Sequence, residues 1–397
     1  MKERLKTLVI DSNGAGWKYV VADTLLRGVL RLAIDESILP FGLRRQLFVR
    51  RLLGERYEHL SYVLDWREAL SAAPELDVEV CGNINNLVEY RRWRDAIASY
   101  PLIIVLHSAA GDSMSLLLKT AHWFQRRRGT LVVFIGNEYD LMAEKFTFLR
   151  ATGADFVCSQ LPFDVARWVY ADCRPTQILE MPHALNPRIY HPDTRIQRSL
   201  DIGFSGDIYH YFVGDIERTA LIHFFQQHSA EFGLVSEFCL DRRMPRVEWA
   251  RFLNGCKGTV GAESGSYYLD RQGQIIAKAK AYLKRYPRTT FVELFERFFR
   301  FPKTEYVSGK SISSRHFEPI GTKTCQLLLD GHYNGILRQN KHYISVKKDL
   351  SNIDEVIRRF KDEAYRTAMV ERTYEYVMGE HTYQHRVQAL IKAVMQN

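Results

Sequence analysis

The run SISSRHFEPIGTKTCQLLLDG, residues 311–331, sets Arg315 three positions ahead of Glu318, just before a short apolar stretch. If CQLLL is a strand, SRHFEPIGT reads as a short helix in front of it, with Pro319 in the first turn. Free amides and a partial positive charge then sit at the helix start beside Arg315, whose planar guanidinium can grip a pyrophosphate through two hydrogen bonds. Glu318 accepts hydrogen bonds only, when ionised, and suits the two hydroxyls of a ribose. The pair can hold two parts of one nucleotide, or it can be a structural ion pair.

Other strand ends carry the same kind of chemistry, and open parallel sheets bind ligands outside the carboxyl ends of their strands. After KTLVI comes DSNGAGW, where Gly14 and Gly16 let the backbone approach a phosphate or sugar, or simply make a tight turn. After PLIIVL comes HSAAGDS, with His107 at the strand end and Asp112 opening the next segment; a hydrogen-bonding or proton-shuttling imidazole is one reading and a packed histidine the other. After TLVVFI comes GNEYD, whose Glu138 and Asp140 either face the crevice or serve a helix start. Further along, FSGD puts Gly206 at a strand end, Arg242 and Arg243 follow the next strand, and Glu263 lies in GAESGS after the third.

The elements that must carry these residues are legible in the hydrophobic pattern. Strands are expected at 6–10, 76–81, 101–106, 130–135, 154–158 and 176–181, with helical patterns near 17–34, 86–98, 112–127, 138–151 and 162–170. Continuous apolar strands such as LIIVL and LVVFI imply burial on both faces, as in a parallel sheet wrapped by helices. The pattern pauses at PHALNPRIYHPDTRIQRS, residues 182–199, which marks a domain boundary. A second alternation has strands at 200–206, 232–238, 257–262, 325–329 and 342–346, helices at about 215–230 and 246–254, and a helical tail from 352 onward. The fold class is therefore α/β, with two doubly wound domains joined by one linker. A long insertion, 264–312, interrupts the second; Phe291, Leu294, Phe295 and Phe298 form one helical stripe in it, expected to pack on its own domain or to face a partner subunit or membrane.

At 397 residues the chain suits two domains, and with 46% apolar and 25% charged residues both can bury a core. Six scattered cysteines without a C-x-x-C pair suggest reduced thiols and a cytosolic setting. The amino-terminal apolar run is too short for a secretory signal, and no stretch approaches the roughly 18 apolar residues of a membrane span. A net charge of +9 points to an acidic partner, whether a nucleotide, a nucleic acid or an anionic membrane face. Nucleic acid is not expected, because no RNA- or DNA-binding module is legible. The segment FGLRRQLFVRRLLGERY, residues 41–57, is basic and amphipathic; it suits either a solvated face or contact with an anionic inner membrane surface.

The carboxyl-terminal part, from about 176 to 397, resembles the group 1 glycosyltransferases, most closely the CgeB-like (spore maturation protein-like) group. The resemblance rests on four stretches. They are the S-x-R-x-F-E run ending in Arg315, Phe317 and Glu318, the Asp349, Asn352 and Glu355 set, the His381, Thr382 and Tyr383 run, and the linker PHALNPRIYHP. It implies a GT-B architecture, two Rossmann-like domains facing across a cleft. Residues 1–190 would form the acceptor domain and 191–380 the donor domain, and a last helix at 381–397 would pack back on the first. On that analogy Arg315 lies at the diphosphate, Glu318 at the ribose and His107 near the donor sugar, while Gly206, Glu263, Lys310 and Thr322 join the donor site. The chain departs from the pattern in having no acid at the first position of E-x7-E, where Lys310 stands with Ser311 after it, and in having Ala184 and Asn186 in the linker.

The activity implied by the resemblance is that of a glycosyltransferase moving a sugar from a nucleotide-sugar donor to a glycan, lipid-linked or protein acceptor in surface polysaccharide or glycoconjugate synthesis. No D-x-D sequence occurs, so no metal or other cofactor is expected, and cations would stabilise the leaving diphosphate: Arg315, Arg242 or Arg243, and Lys310. Asp112, Glu138, Asp140 or His107 would take the acceptor's proton if a base is used. A non-catalytic sugar-nucleotide-binding subunit and a sugar-nucleotide epimerase are the rival readings.

Overall fold

The structure is a computed structural model that describes residues 4–11, 61–81, 90–111, 113–240, 244–300, 302 and 304–396. Gly14, Gly16, Asp112, Arg242, Arg243, the helical pattern at 17–34 and the basic segment 41–57 lie outside the described residues. The first sheet holds β1 (Leu5–Ile10), β2 (Leu76–Cys81), β3 (Leu102–Val105), β4 (Thr130–Phe134), β5 (Phe156–Ser159) and β6 (Gln177–Glu180). All pair in parallel in the order β2-β1-β3-β4-β5-β6. Alternate strand residues feed two cores, which is why these strands read as unbroken apolar runs. Ile103, Val105, Leu131 and Val133 face helices α2 (Tyr90–Ser99), α3 (Ser115–Phe124), α4 (Met142–Thr152) and α5 (Phe163–Val169). Leu102, Ile104, Val132 and Phe134 face α1 (Ser61–Ala72) on the other side.

The second sheet contains β7 (Leu200–Gly206), β8 (Ser236–Leu240), β9 (Cys256–Gly261), β10 (Cys325–Leu329) and β11 (Ile344–Val346), again parallel, in the order β11-β10-β9-β7-β8. The expected strand at 232–238 begins later, at Ser236, because Gly233 takes a positive φ of 64° and turns the chain after the preceding helix. Helices α6 (Glu217–His228) and α7 (Arg246–Asn254) follow the first two strands of this sheet. Order reverses between β1 and β3 in one sheet and between β7 and β9 in the other, and such reversals open the crevices in which open α/β sheets hold ligands.

The insertion does not keep to its own domain. It holds α8 (Ile275–Arg285) and α9 (Phe291–Phe298), and its Leu269, Ile275, Ile276, Ala279 and Leu294 join the core formed by α4 and α5 of the first domain. Lys280 pairs with Asp140, and the Arg271 guanidinium lies over the Trp168 ring at 5.5 Å. The aromatic stripe of α9 itself packs closer to home, Phe291 against Tyr211, Phe295 against Tyr268 and Phe298 against Tyr282. After α10 (Ser314–Gly321), the chain continues through α11 (Ile353–Lys361) and α12 (Glu363–Glu380), which cover the second sheet, to α13 (Tyr383–Met395). That last helix sets Tyr383, Val387, Leu390 and Ile391 against α1 and the first sheet.

Gly273 locks the insertion in place. Its φ is +67°, and a Cβ there would lie 2.6 Å from the Met142 Cβ and 2.7 Å from the Ala143 amide nitrogen. Gly273→Ala is expected to destabilise the fold by more than about 1 kcal/mol. Denaturant unfolding should show a lower midpoint and limited proteolysis faster cutting within 264–312; unchanged values would mean that the insertion docks without this contact.

Candidate functional site

A cleft lies between the domains, floored by the carboxyl ends of β7, β9 and β10 and lined on its second-domain side by Arg218, Arg246, Trp249, Arg315 and Glu318. Arg315 is fixed from three directions. Its Nη1 donates to the Ser205 carbonyl at 2.7 Å, its guanidinium lies over the Trp249 ring at 4.8 Å, and its Nε stands 3.9 Å from a Glu318 carboxylate oxygen. The same oxygen accepts a 2.7 Å hydrogen bond from Trp249 Nε1. Arg315 and Glu318 are therefore only loosely paired, and the indole is their common support. Gly206, at φ +154°, ends β7 directly under the guanidinium.

The helix that presents Arg315 is α10, capped at Ser313. His316 closes the cap: its Nδ1 accepts from the Ser313 amide at 3.0 Å and its Nε2 stands 3.1 Å from the Ala262 carbonyl, so the ring is a neutral tautomer with the proton on Nε2. Burial pushes its pKa down to about 4. The spacing predicts Pro319 in the first turn; it lies deeper, inside an eight-residue helix. The helix ends two residues later, so the proline interrupts little.

Three groups in this cleft are not evident from the sequence. Arg218, at the start of α6, lies over the Tyr209 ring at 4.5 Å and the Phe204 ring at 5.7 Å, and makes no ion pair among the described residues. Trp249 and Arg246 share one face of α7, three positions apart, which is the only sequence signal for either. Arg246 reaches across to the first domain, 3.0 Å from Asp65, and also binds Glu68. Asn186 of the linker donates to the same Asp65 oxygen at 2.7 Å. Burial pushes the Asp65 carboxyl up to about 7, against the pull of Asn186 and Arg246. A second tie across the cleft floor is Asn334, which donates to the Gln160 carbonyl at 2.9 Å and accepts from the Ile312 amide at 2.8 Å.

Several expected site residues turn out to be engaged elsewhere. Lys310 forms a buried 2.7 Å ion pair with Asp215, which spends its charge inside the second domain. Glu263 accepts a 2.6 Å hydrogen bond from the Tyr333 amide and holds the loop after β10. Thr322 is wholly buried past the end of α10, bonded to the Pro319 carbonyl and Thr324, and is outside the cleft lining. Asp140 is taken by Lys280 of the insertion.

In the first domain Glu138 does line the cleft. Its two oxygens nevertheless accept from the Ser159 hydroxyl at 2.7 Å, the Tyr170 hydroxyl at 2.5 Å and the Gln160 amide at 2.6 Å. Burial raises its pKa despite these bonds. Behind it the fully buried Lys145 donates to the carbonyls of Gly136, Asn137 and Asp140, so the whole turn after β4 is tied down from below. His107 stands behind the cleft wall, its ring 5.0 Å from that of His183 and 5.1 Å from that of Phe134, and neither ring nitrogen has a partner among the described residues. Burial holds the ring neutral, and the neighbouring His183 is likewise pushed down to about 3. His183 lines the cleft and carries its contact through to His107. Among the described residues no group of three or more histidine, cysteine or acidic side chains is gathered as a metal-ligand set.

Comparison with known proteins bears on the fold and on residues 246–392. A family model described as glycosyl transferase-like matches residues 246–392, which include α7, the insertion and α10. No curated protein matches the chain in sequence. Its fold is similar to that of an alpha-glucosyltransferase solved with UDP and a 13-mer DNA, at a TM-score of 0.54 and 8% identity over 99% of this chain and 100% of that one. A structure of an alpha-glucosyltransferase with UDP-glucose and DNA containing an abasic site gives 0.54 at 9% identity, again over 99% and 100%. Sucrose-phosphate synthase from Thermosynechococcus elongatus gives 0.50 at 10%, covering 99% of both chains. The fold is GT-B, and residues 246–392 are similar to the glycosyl transferase-like family.

Proposed function

We propose that the chain is a glycosyltransferase that takes a sugar from a nucleoside diphosphate donor held by the second domain. The observation that carries this reading is the Arg315, Trp249 and Glu318 unit at the start of α10, facing the cleft of a GT-B fold. Arg315 and Arg218 bring two guanidiniums to the cleft, and the amides of the α10 start add the positive end of a helix dipole. Together they suit the diphosphate as the bond between it and the sugar carbon breaks and the electron pair moves onto phosphate oxygen. Glu318 takes the ribose hydroxyls. The cations are supplied by side chains, so the reading includes no divalent ion.

The structures of similar fold hold UDP or UDP-glucose, which makes a uridine nucleotide the first donor to test. The acceptor is read as a glycan, lipid-linked or protein hydroxyl in surface polysaccharide or glycoconjugate synthesis, and the CgeB-like grouping is supported by the run from Ser313 to Glu318. Membrane contact is not required by this reading; no helix among the described residues is long and apolar enough to cross a membrane. One observation favours a second reading, a sugar-nucleotide-binding subunit without transfer. Glu138 and Asp140 are both engaged, and His107 is set back from the cleft.

Calorimetry with UDP, GDP, ADP, CMP and TDP tests the donor site. One nucleotide is expected to bind in the micromolar range, with Arg315→Ala weakening it roughly ten- to hundredfold, the loss of a hydrogen bond to a charged group. Trp249→Phe, which keeps a ring but removes the hydrogen bond to Glu318, is expected to weaken it less. Absence of binding by every nucleotide would remove the donor reading. Binding without hydrolysis or transfer of the matching sugar nucleotide would favour the silent subunit.

The neutral histidines give a pH dependence. His316 and His183 have folded pKa values of about 4 and about 3, below the ordinary 6.5, so the stability they contribute is complete above pH 6.5 and lost as the pH falls. Asp65, raised to about 7, acts in the opposite sense between about 7 and 3.8, offsetting part of the loss. His316 alone is expected to cost on the order of 3 kcal/mol at full protonation. The thermal midpoint should fall between about pH 6 and pH 4.5 while the folded rings stay neutral, and nucleotide affinity should fall only as the pH approaches about 4, where His316 itself takes up a proton. His316→Gln, which preserves the cap without a titrating ring, should flatten the slope. A slope unchanged by that variant would place the acid sensitivity elsewhere.

A further inference from the structure

The two helices of the insertion meet at Pro287, Arg288 and Thr289 and enclose a groove lined by Tyr282, Arg285, Tyr286, Arg288 and Arg297. Its charge balance is positive, three arginines against two glutamates, and the glutamates are engaged at its edge. Two glutamates share the groove, but Glu293 is taken by the α9 cap, accepting from the Thr290 amide at 2.8 Å and its hydroxyl at 2.9 Å, and Glu296 pairs with Arg300 at 2.6 Å. Arg285, Arg288 and Arg297 are all exposed, and none makes an ion pair among the described residues. Two of them are ordered by rings instead. Arg297 lies over Tyr282 at 4.7 Å and Arg285 over Tyr286 at 5.5 Å, and the two tyrosines lean on each other at 4.7 Å. Tyr286 is 45% exposed, so ring surface remains available within the groove.

We propose that this groove binds an acidic glycan, one whose sugar rings carry carboxylates, and that it holds the acceptor chain of the transferase. Three guanidiniums, two of them already stacked on rings, match carboxylates spaced along a polymer, each able to bind in two-point fashion. The tyrosine faces supply flat apolar surface for the sugar rings between those charges, a feature that a purely electrostatic surface has no need of. Position supports an acceptor role. Ser264, Gly265, Gly309 and Ser311, at the root of the insertion, line the cleft, and its body is docked on the first domain. A chain held in the groove therefore rides on the same arm that borders the donor site. The acceptor role rests on the transferase reading; the glycan binding does not.

The test uses hexagalacturonate as the probe, with maltohexaose as the neutral control and single-stranded DNA and phosphatidylglycerol vesicles as other anionic surfaces, at about 0.15 M salt. The full chain is expected to bind hexagalacturonate and not maltohexaose. The Arg285→Gln, Arg288→Gln, Arg297→Gln triple variant should bind at least about tenfold more weakly, and Tyr286→Ala several-fold more weakly although no charge is removed. Both variants should keep the wild-type thermal midpoint and nucleotide affinity. No binding of hexagalacturonate, or binding undiminished in the triple variant, would overturn the proposal. So would equal or tighter binding of DNA or vesicles with Tyr286→Ala without effect, which would mark a general polyanion or membrane-facing surface. Glycan binding without any nucleotide binding would keep the groove and remove the donor reading, and the reverse result would do the opposite.

Discussion

Arg315 is held by a carbonyl, an indole face and a carboxylate before any ligand arrives, and the site depends on that arrangement. A guanidinium on a flexible stem would lose rotamer freedom on binding; here the fold has already absorbed that loss. The support is built from three separate parts of the second domain: the end of β7, the buried face of α7 and the first turn of α10. Gly206 and His316 matter because they shape two of those parts, the one by bending the strand end under the guanidinium and the other by closing the helix start. Trp249 is the central piece, since it carries Arg315 on its face and Glu318 at its nitrogen.

The first domain is prepared in a different manner. Its turn after β4 is immobilised by Lys145 from beneath and by Glu138 toward β5, so two buried charges are used to hold backbone. Such charges are tolerated because each is fully supplied with hydrogen-bond partners. The polar strand ends that look catalytic in the sequence are, in this domain, the joints of a rigid wall. Asn334 then ties that wall to the second domain at Gln160, and Arg246 ties α1 to it at Asp65 and Glu68.

The sequence is most informative where chemistry and periodicity coincide. The parallel strands, the linker and the helix at 246–254 can be placed because apolar runs, prolines and helical spacing are local properties. Arg315 and Glu318 stand out because an acid and a base at that spacing before a strand have few structural uses. What cannot be read is partnership. Nothing local distinguishes Lys310, bound to Asp215, from a free cation, or tells that Glu263 caps a loop 70 positions further on. Arg218 and Trp249 stay hidden for the same reason, as each gains its meaning only from rings and carboxylates brought in by distant segments. The phenylalanine stripe packs within its own part of the chain, and the insertion's docking on the first domain stays hidden because Leu269, Ile275 and Ile276 announce burial without naming the surface that buries them.

The polypeptide passes between the domains at the linker, at the insertion and again at α13, and this has a consequence for biosynthesis. One face of the first sheet is covered by α1 together with α13, which lies some two hundred residues beyond β6. The insertion completes the opposite core, also from far downstream. As the chain leaves the ribosome, the apolar side chains that pack against α13 and the insertion are made well before those partners. Contacts this distant in sequence tie completion of both cores of the first domain to synthesis of the insertion and the last helix, the kind of long-range closure that slows folding.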